Sequence, residues 1–239
     1  PINNPTPITE FQSLNTALQR AIDSSEALLE RQTQFIGNAS HELQTPLAII
    51  GNRVEWLLDE SPLNEEQATE LYKINKTLSR AIRLNKTLLL LTKIENSQFV
   101  DTSQVDIAAI VAESAESMAE IYSTREITFD VELPQSLEVR MNESLATTLV
   151  SNLMKNVYVH SEKGTYAKAS IVGRRLIIEN DGHAELDKNQ IFDRFYQGSQ
   201  RESSTGLGLS LVAAICRNYN FAVRYSFVDS RHRFEIDFS

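Results

Sequence analysis

The most constraining feature of this sequence is a run of apolar and small residues, spaced alternately four and three apart, over residues 36–57. The run consists of Ile36, Ser40, Leu43, Leu47, Ile50, Val54 and Leu57. This spacing keeps one stripe of a helix turned towards a neighbouring helix, as in a helical bundle or a coiled coil. The pattern therefore predicts a long amphipathic helix that needs a packing partner.

A second helix is predicted directly after the first. Residues 59–64 contain Ser61-Pro62, which ends the first helix, and Asn64 with Gln67 three residues later has the pattern of a capping box. The apolar stripe of the second helix is Leu71, Ile74, Leu78, Ala81 and Leu88. Two helices joined by a short loop form an antiparallel hairpin with one thin apolar stripe. We therefore expect two hairpins to pair as a homodimeric four-helix bundle.

The second half of the chain mixes helical and strand periods. Helices are predicted over residues 107–122 and 144–160. Strands are predicted over 126–133, 137–141, 167–172 and 176–180, and in the alternating stretches 223–227 and 234–238. Asp229-Ser230 predicts a hairpin turn, residues 197–205 a mobile polar loop, and the polar stretch 96–104 a domain boundary. This combination indicates an α+β sandwich of a sheet and helices.

Composition excludes some classes of protein. The net charge of -9 argues against a nucleic-acid partner, but a few backbone amides and a metal ion can hold ATP on an acidic protein. The single cysteine, Cys216, lies in an apolar helical stretch and is predicted to be a small buried hydrophobe. No run reaches the roughly 20 apolar residues of a membrane span. Since the chain starts at Pro1, we interpret it as part of a longer protein.

The sharpest local motif surrounds His41. Ser40 lies on the heptad stripe, so His41 is rotated to its flank and should face solvent, with Thr45 on the same helical face. Glu42 could accept the Nδ1 proton of the imidazole and leave Nε2 as a nucleophile. Pro46 cannot donate to the carbonyl of Glu42 and is expected to bend the helix. Taken alone, His41 could also be an ordinary histidine on a solvated helix face.

The stretch from Phe35 to Leu47 resembles the phosphoacceptor box of sensor histidine kinases, and the wider chain is similar to kinases of the Bacteroidetes type. The resemblance extends over nearly the whole chain. It implies that His41 is phosphorylated and that Glu42 is its general base. It also implies that Thr45 positions a water for dephosphorylation of the partner protein.

Asn152 and Asn156 lie four residues apart on one helix face and resemble the N box of this family. The resemblance makes Asn156 the Mg²⁺ ligand, a role that suits an amide oxygen, and puts Asn152 near the phosphates of ATP. Val159 stands where the family has a lysine, which leaves Lys155 as the candidate to reach phosphate. His160 takes the position of the aromatic residue that flanks adenine. Two solvated surface asparagines are the alternative.

Residues 178–182 resemble the G1 box, whose aspartate accepts a hydrogen bond from the adenine amino group. Asn180 stands at that position with Asp181 beside it and Gly182 next, and the second glycine is replaced near Ala184. An Asn oxygen is a weaker acceptor than a carboxylate. We therefore expect Asn180, or Asp181 in its place, to recognise adenine.

Two further motifs follow. Residues 191–196 resemble the F box, in which Phe195 would help to anchor the ATP lid, although Phe192 and Phe195 also fit ordinary core contacts. Residues 204–209 resemble the G2 box, where two glycines ahead of a helix let backbone amides close on phosphate oxygens. The resemblance makes the nucleotide-binding residues of this segment Thr205, Gly206, Leu207, Gly208 and Leu209.

The predicted fold is multidomain: an α-helical hairpin in a dimeric four-helix bundle, followed by an α+β ATP-binding sandwich of the histidine kinase/Hsp90-like ATPase type. Residues 1–30 would be a linker or signalling helix, 31–96 the dimerisation and histidine phosphotransfer domain, and 97–239 the catalytic domain. The predicted function is ATP- and Mg²⁺-dependent autophosphorylation of His41, phosphotransfer to an aspartate of a response regulator receiver domain, and phosphatase activity.

Two alternatives accompany this prediction. A dimeric signalling scaffold would follow if the altered G1 box no longer bound ATP productively. A chaperone or DNA-repair ATPase with the same nucleotide fold is disfavoured, because those proteins have no hairpin carrying His-Glu-x-x-Thr. The expected location is the cytoplasmic portion of a bacterial inner-membrane protein whose anchor is not in this chain.

Overall fold

The helical hairpin dominates the first part of the chain. The computed structural model describes residues 9–133, 136–197 and 205–239. Helix α1 spans Thr9–Glu60 without interruption and includes Pro46. Helix α2 spans Glu65–Glu95. The predicted capping box is confirmed, because the Gln67 amide donates to Asn64 Oδ1 at 2.8 Å and the Asn64 amide donates to Gln67 Oε1 at 3.1 Å.

The two helices bury only part of their apolar stripes against each other. On α1, Ser40 and Val54 are buried, and Leu78 is buried on α2. Leu43 and Ile50 belong to the same heptad pattern but are 51% and 49% exposed. A single hairpin therefore leaves an apolar surface open beside its helix–helix contact.

The remainder of the chain forms the α+β unit. Its helices are α3 (Ile107–Ile121), α4 (Glu143–His160) and α5 (Gly208–Asn218), with a short 3₁₀ turn at Ser123–Arg125. Its strands are β1 (Ser103–Asp106), β2 (Thr128–Glu132), β3 (Glu138–Met141), β4 (Tyr166–Val172), β5 (Arg175–Asp181), β6 (Ala222–Val228) and β7 (Arg231–Asp237). Each predicted helix and strand of this half is confirmed. Residues 198–204 of the predicted loop lie outside the described part of the chain.

The sheet that carries the site has five strands in the order β2-β4-β5-β7-β6. Strand β2 is parallel to β4 and the other pairs are antiparallel. The register places Ala169, Ile178 and Phe234 in one row, and this face packs against the helices in one core. The result is the predicted two-layer sandwich. Asp229 and Ser230 make the β6–β7 turn with φ of 51° and 59°, which matches the predicted hairpin.

Strand β1 was not predicted. It pairs antiparallel with β3 and begins at Ser103, inside the polar stretch that we assigned to the domain boundary. Of its four residues only Val105 is buried, so the apolar alternation that would indicate a strand is missing. Strand β1 therefore forms because it pairs with β3, and its local sequence pattern does not predict it.

The end of the hairpin is packed into the sandwich. Leu91 and Ile94 of α2 are 1% and 2% exposed and belong to the same hydrophobic core as α4 and α5. Arg194 forms an ion pair with Glu95 at the last residue of α2. The C-terminal part of α2 is therefore one wall of the α+β unit, which brings hairpin residues close to the site described next.

Candidate active site

His41 lies on the exposed side of α1, as the heptad position of its neighbour predicts. Ser40 is 3% exposed and faces α2, whereas His41, Glu42 and Thr45 are exposed. The buried Asn85 of α2 donates from Nδ2 to the Ser40 carbonyl at 2.7 Å. This hydrogen bond ties the backbone next to His41 to the second helix and leaves the imidazole accessible to a reaction partner.

The large cavity of the described residues lies in the sandwich and measures about 830 Å³. Helix α4, strands β5 and β7 and the start of α5 line it, and α2 contributes one side. A concave pocket of this size with convergent polar groups is typical of a small-molecule site. The volume is sufficient for a nucleotide.

The N-box asparagines lie together on the cavity side of α4. Asn152 and Asn156 are half-buried and line the cavity, while Leu153, Met154 and Val157 between and after them point into the core. The Nδ2 of Asn152 donates to the Thr148 carbonyl at 2.7 Å, which keeps its oxygen for other partners. The helical period therefore places two amide groups at one wall.

Gly206 and Gly208 allow close packing at the N-terminal end of α5. Gly206 has φ of +69°, and a Cβ there would lie 2.7 Å from the carbonyl carbon of Phe195, whose amide donates to the Gly206 carbonyl at 2.9 Å. A Cβ on Gly208 would lie 3.2 Å from Asn152 Oδ1. Helix α5 starts at Gly208 and has no side-chain cap, so its first amides are suited to bind an anion.

Asn180 and Asp181 have different surroundings at the end of β5. Asp181 accepts from the Tyr166 amide at 2.9 Å and pairs with Arg231 at 3.3 Å. Asn180 is 3% exposed and lines the cavity, and its Nδ2 donates to the Asp181 carbonyl at 3.0 Å. Asp181 is thus engaged by the protein, whereas Asn180 retains an oxygen to accept a hydrogen bond from a ligand.

His232 of β7 lies opposite Asn180 in the strand register and forms part of the cavity wall. Its Nδ1 lies 2.9 Å from the hydroxyl of Tyr225, and a Cβ on Gly182 would lie 2.2 Å from its Nε2. A side chain at position 182 would therefore have to displace this ring. Burial lowers the pKa of His232 below the ordinary histidine value, so the neutral imidazole is favoured there.

The structure gathers most of the predicted binding residues around this one cavity. They are Asn152, Lys155, Asn156, His160, Asn180, Asp181, Gly182, Thr205, Gly206, Gly208 and Leu209. Leu207 is fully buried in the core instead, and Phe195 is 56% exposed and outside the cavity lining. The expectation that Phe195 makes a core contact is wrong, because its φ of +66° turns its backbone towards Gly206 and its ring outward. Phe192 does pack against the core.

Sequence reasoning missed the contribution of α2 and β7. Arg83, Lys86 and Thr87 line the cavity from the hairpin, and His232 and Phe234 line it from the last strand. None of these residues belongs to a box with a recognisable spacing. His41, Glu42 and Thr45 do not line the cavity.

The electrostatics of the cavity centre on Lys155. Desolvation at the cavity wall, followed by the charge of Arg83, lowers the pKa of Lys155 below the ordinary lysine value. Arg83 is therefore close enough to interact with it across the α2–α4 boundary.

The single cysteine, Cys216, is buried, and burial raises the pKa of its thiol to about 12. This confirms the prediction of a small buried hydrophobe.

Comparisons with known families agree with this geometry. Residues 31–97 match the His Kinase A (phospho-acceptor) domain, and residues 141–238 match the Histidine kinase-, DNA gyrase B-, and HSP90-like ATPase domain. The chain therefore carries a His Kinase A phospho-acceptor domain followed by an ATPase domain of the type shared by histidine kinases, DNA gyrase B and HSP90, and its curated relatives are named sensor histidine kinases.

Individual relatives are similar at modest identity. The probable sensor histidine kinase TcrY of Mycobacterium tuberculosis is 27% identical over 92% of this chain and 50% of its own length. The sensor protein QseC of Escherichia coli is 27% identical over 94% of this chain and 51% of its own length. The chain thus spans about half the length of the curated relatives it matches.

Solved structures support the fold. The Acinetobacter baumannii histidine kinase AdeS aligns with a TM-score of 0.57 at 24% identity, over 83% of this chain and 97% of that one. Full-length ShkA in complex with AMPPNP aligns with a TM-score of 0.66 at 20% identity, over 86% of this chain and 46% of that one. Among the helices of the described residues, none combines the length and apolar content needed to cross a membrane.

Proposed function

We propose that this chain is the catalytic core of a sensor histidine kinase that phosphorylates its own His41 with ATP and passes the phosphoryl group to an aspartate of a response regulator receiver domain. One observation carries the proposal: an exposed histidine on a helical hairpin accompanies a nucleotide-sized cavity lined by Asn152, Asn156, Asn180 and Gly208.

In the proposed reaction, Nε2 of His41 forms a bond to the γ-phosphorus of ATP while the bond from that phosphorus to the β–γ bridging oxygen breaks and ADP leaves. Glu42, next in sequence, takes the Nδ1 proton, so that the ring carries the phosphoryl group without gaining a second positive charge. Such transfers depend on positioning and on charge neutralisation. Thr45, on the same face as His41, is proposed to position a water for dephosphorylation of the receiver.

Nucleotide binding is assigned to residues of the cavity. Asn180 accepts a hydrogen bond from the adenine amino group, and the free amides at Gly208 and Leu209 hold phosphate oxygens at the start of α5. Asn156 is the proposed Mg²⁺ ligand, which its position at the cavity wall and its amide oxygen fit. A bound Mg²⁺ ion supplies charge neutralisation at the phosphates.

A homodimer belongs to the same proposal, because the exposed stripe with Leu43 and Ile50 needs a cover and a second hairpin has the matching surface. The parent protein is proposed to be an inner-membrane sensor, with this part on the cytoplasmic side, as the names and lengths of its relatives suggest.

The test is incubation with ATP labelled at the γ-phosphate, with Mg²⁺, followed by acid and base treatment. Labelled protein whose phosphate is lost in acid and kept in base is expected, and His41→Ala should remove it. Asn156→Ala should lose the label while keeping the circular dichroism spectrum of the unaltered chain. Absence of label in the unaltered chain would instead favour a non-catalytic dimeric scaffold, to which the departures of the G1 box at Asn180 and Ala184 point.

A further inference from the structure

Helix α2 belongs to the hairpin, yet it forms part of the nucleotide cavity. Arg83, Lys86 and Thr87 line that cavity, and α2 packs against α5, whose first residues Gly208 and Leu209 line it too. The hairpin, which lies in the segment that matches the phospho-acceptor domain, therefore supplies one side of a cavity whose other walls lie in the segment that matches the ATPase domain.

The charge distribution around the cavity is uneven. Arg83, Lys86 and Lys155 have no carboxylate within ion-pair distance among the residues that the structure describes. Three carboxylates line the cavity: Glu162 lies 3.3 Å from His183, Asp181 lies 3.3 Å from Arg231, and Asp229 lies in the β6–β7 turn. A chain with a net charge of -9 thus collects three uncompensated cations from α2 and α4 at one wall.

We propose that Arg83 and Lys86 complete the phosphate end of the nucleotide site, so that a bound nucleoside triphosphate bridges the phosphotransfer hairpin and the ATPase domain. The inference rests on the proposed function. Placing positive side chains close together is unfavourable unless a bound anion offsets their repulsion. The phosphate groups of a nucleotide are the anions that would bind in this cavity. Val159 occupies the position where the family resemblance predicts a lysine. Arg83 and Lys86 of α2 therefore supply positive charge that the N box lacks.

The bridge has a consequence for His41. Asn85 faces α1 and binds the Ser40 carbonyl, while Arg83 and Lys86 lie about 160° and 100° around α2 from it, given about 100° per residue. A triphosphate held by Arg83 and Lys86 therefore lies across α2 from the turn that carries His41.

The experiment measures nucleotide affinity by isothermal titration calorimetry on the whole chain at fixed Mg²⁺. The variant is Arg83→Ala with Lys86→Ala, and the probes are a non-hydrolysable ATP analogue, ADP and adenosine. The matched control is Lys73→Ala with Lys76→Ala, which removes two exposed charges at the same three-residue spacing, ten residues earlier on α2.

The alanine variant is expected to bind the ATP analogue about tenfold or more weakly, because charge-assisted contacts with phosphate are removed. The loss of affinity should be smaller for ADP and absent for adenosine. The control should bind all three probes as the unaltered chain does, and Arg83→Lys with Lys86→Arg should retain most of the affinity. The salt dependence of binding should also weaken in the alanine variant.

Two outcomes overturn the inference. An equal loss for all three probes would mean that the substitutions disturb the fold, and an unchanged affinity for the ATP analogue would mean that the cations do not meet phosphate. Failure of the unaltered chain to bind any nucleotide would overturn the proposed function together with the inference, so the two failures are distinguishable.

Discussion

The hairpin and the sandwich differ in how completely they bury their own apolar residues. On α1, Leu43, Ile50 and Trp56 are 51%, 49% and 55% exposed. In the sandwich, Leu145 and Leu149 of α4 are 0% exposed. The sandwich therefore holds a complete core, whereas the hairpin depends on a neighbour to complete its stripe. The core of the sandwich is completed by Leu91 and Ile94 from the end of α2, whereas the part of the hairpin that carries His41 leaves apolar side chains exposed for contact with another surface.

The largest expected effect is on the sandwich core. Leu149→Ala should lower the free energy of unfolding of the sandwich by about 2–5 kcal/mol, because it removes buried methyl groups and leaves a cavity. Urea denaturation followed by circular dichroism measures this. Ile121→Ala, in the same domain but 71% exposed, is the control and should change stability by less than about 0.5 kcal/mol. Similar losses in both variants would mean that the core does not hold the sandwich together.

A change in the hairpin should affect assembly and leave the sandwich intact. Ile50→Glu puts a charge on the exposed stripe, and we expect it to shift the protein from dimer to monomer in sedimentation experiments, because burying an unpaired carboxylate is costly. Ile121→Glu places the same charge on the sandwich surface and should leave the dimer unchanged. A dimer that survives Ile50→Glu and dissociates with Ile121→Glu would move the interface to the sandwich.

Within the sandwich, the two acceptor candidates at the end of β5 can be separated. Asn180→Ala should weaken binding of an ATP analogue about fivefold to tenfold, since one hydrogen bond is worth about 1 kcal/mol. Asp181→Asn keeps an acceptor for the Tyr166 amide and should change affinity much less. Fluorescence titration decides between them, with thermal melts to verify folding. The assignment of Asn180 is wrong if Asp181→Asn causes the greater loss.

The smallest effect concerns pH. Burial lowers the pKa of His232 in the folded chain, so the unfolded chain takes up a proton first as pH falls through about 6.5. Proton uptake favours the unfolded chain, and stability should decline from pH 7 to pH 5. His232→Gln should flatten this decline in thermal melts of the sandwich. His183→Gln, an exposed histidine of the same cavity, is the control, and an equal flattening there would contradict the role of His232.

Much of the fold was predictable, because its signals lie between residues close in sequence. The heptad stripe indicated the hairpin, Asn64 and Gln67 indicated the start of α2, and Asp229-Ser230 indicated the last turn. Strand β1 was not predicted, because three of its four residues are not buried and the apolar alternation of a strand is missing. Pairing across the chain can stabilise a strand that has no local pattern.

The motif boxes by themselves determined most of the residues that the cavity gathers from α4, β5 and α5, with Leu207 as an exception, since each box carries its chemistry within a few positions. Only the tertiary structure decided that Asp181 is engaged by Tyr166 and Arg231, and that His232 closes on Gly182. Only the tertiary structure, likewise, places Arg83 of the hairpin in the cavity lining. These contacts join residues far apart in sequence, and sheet register and helix packing, which no local pattern encodes, bring them together.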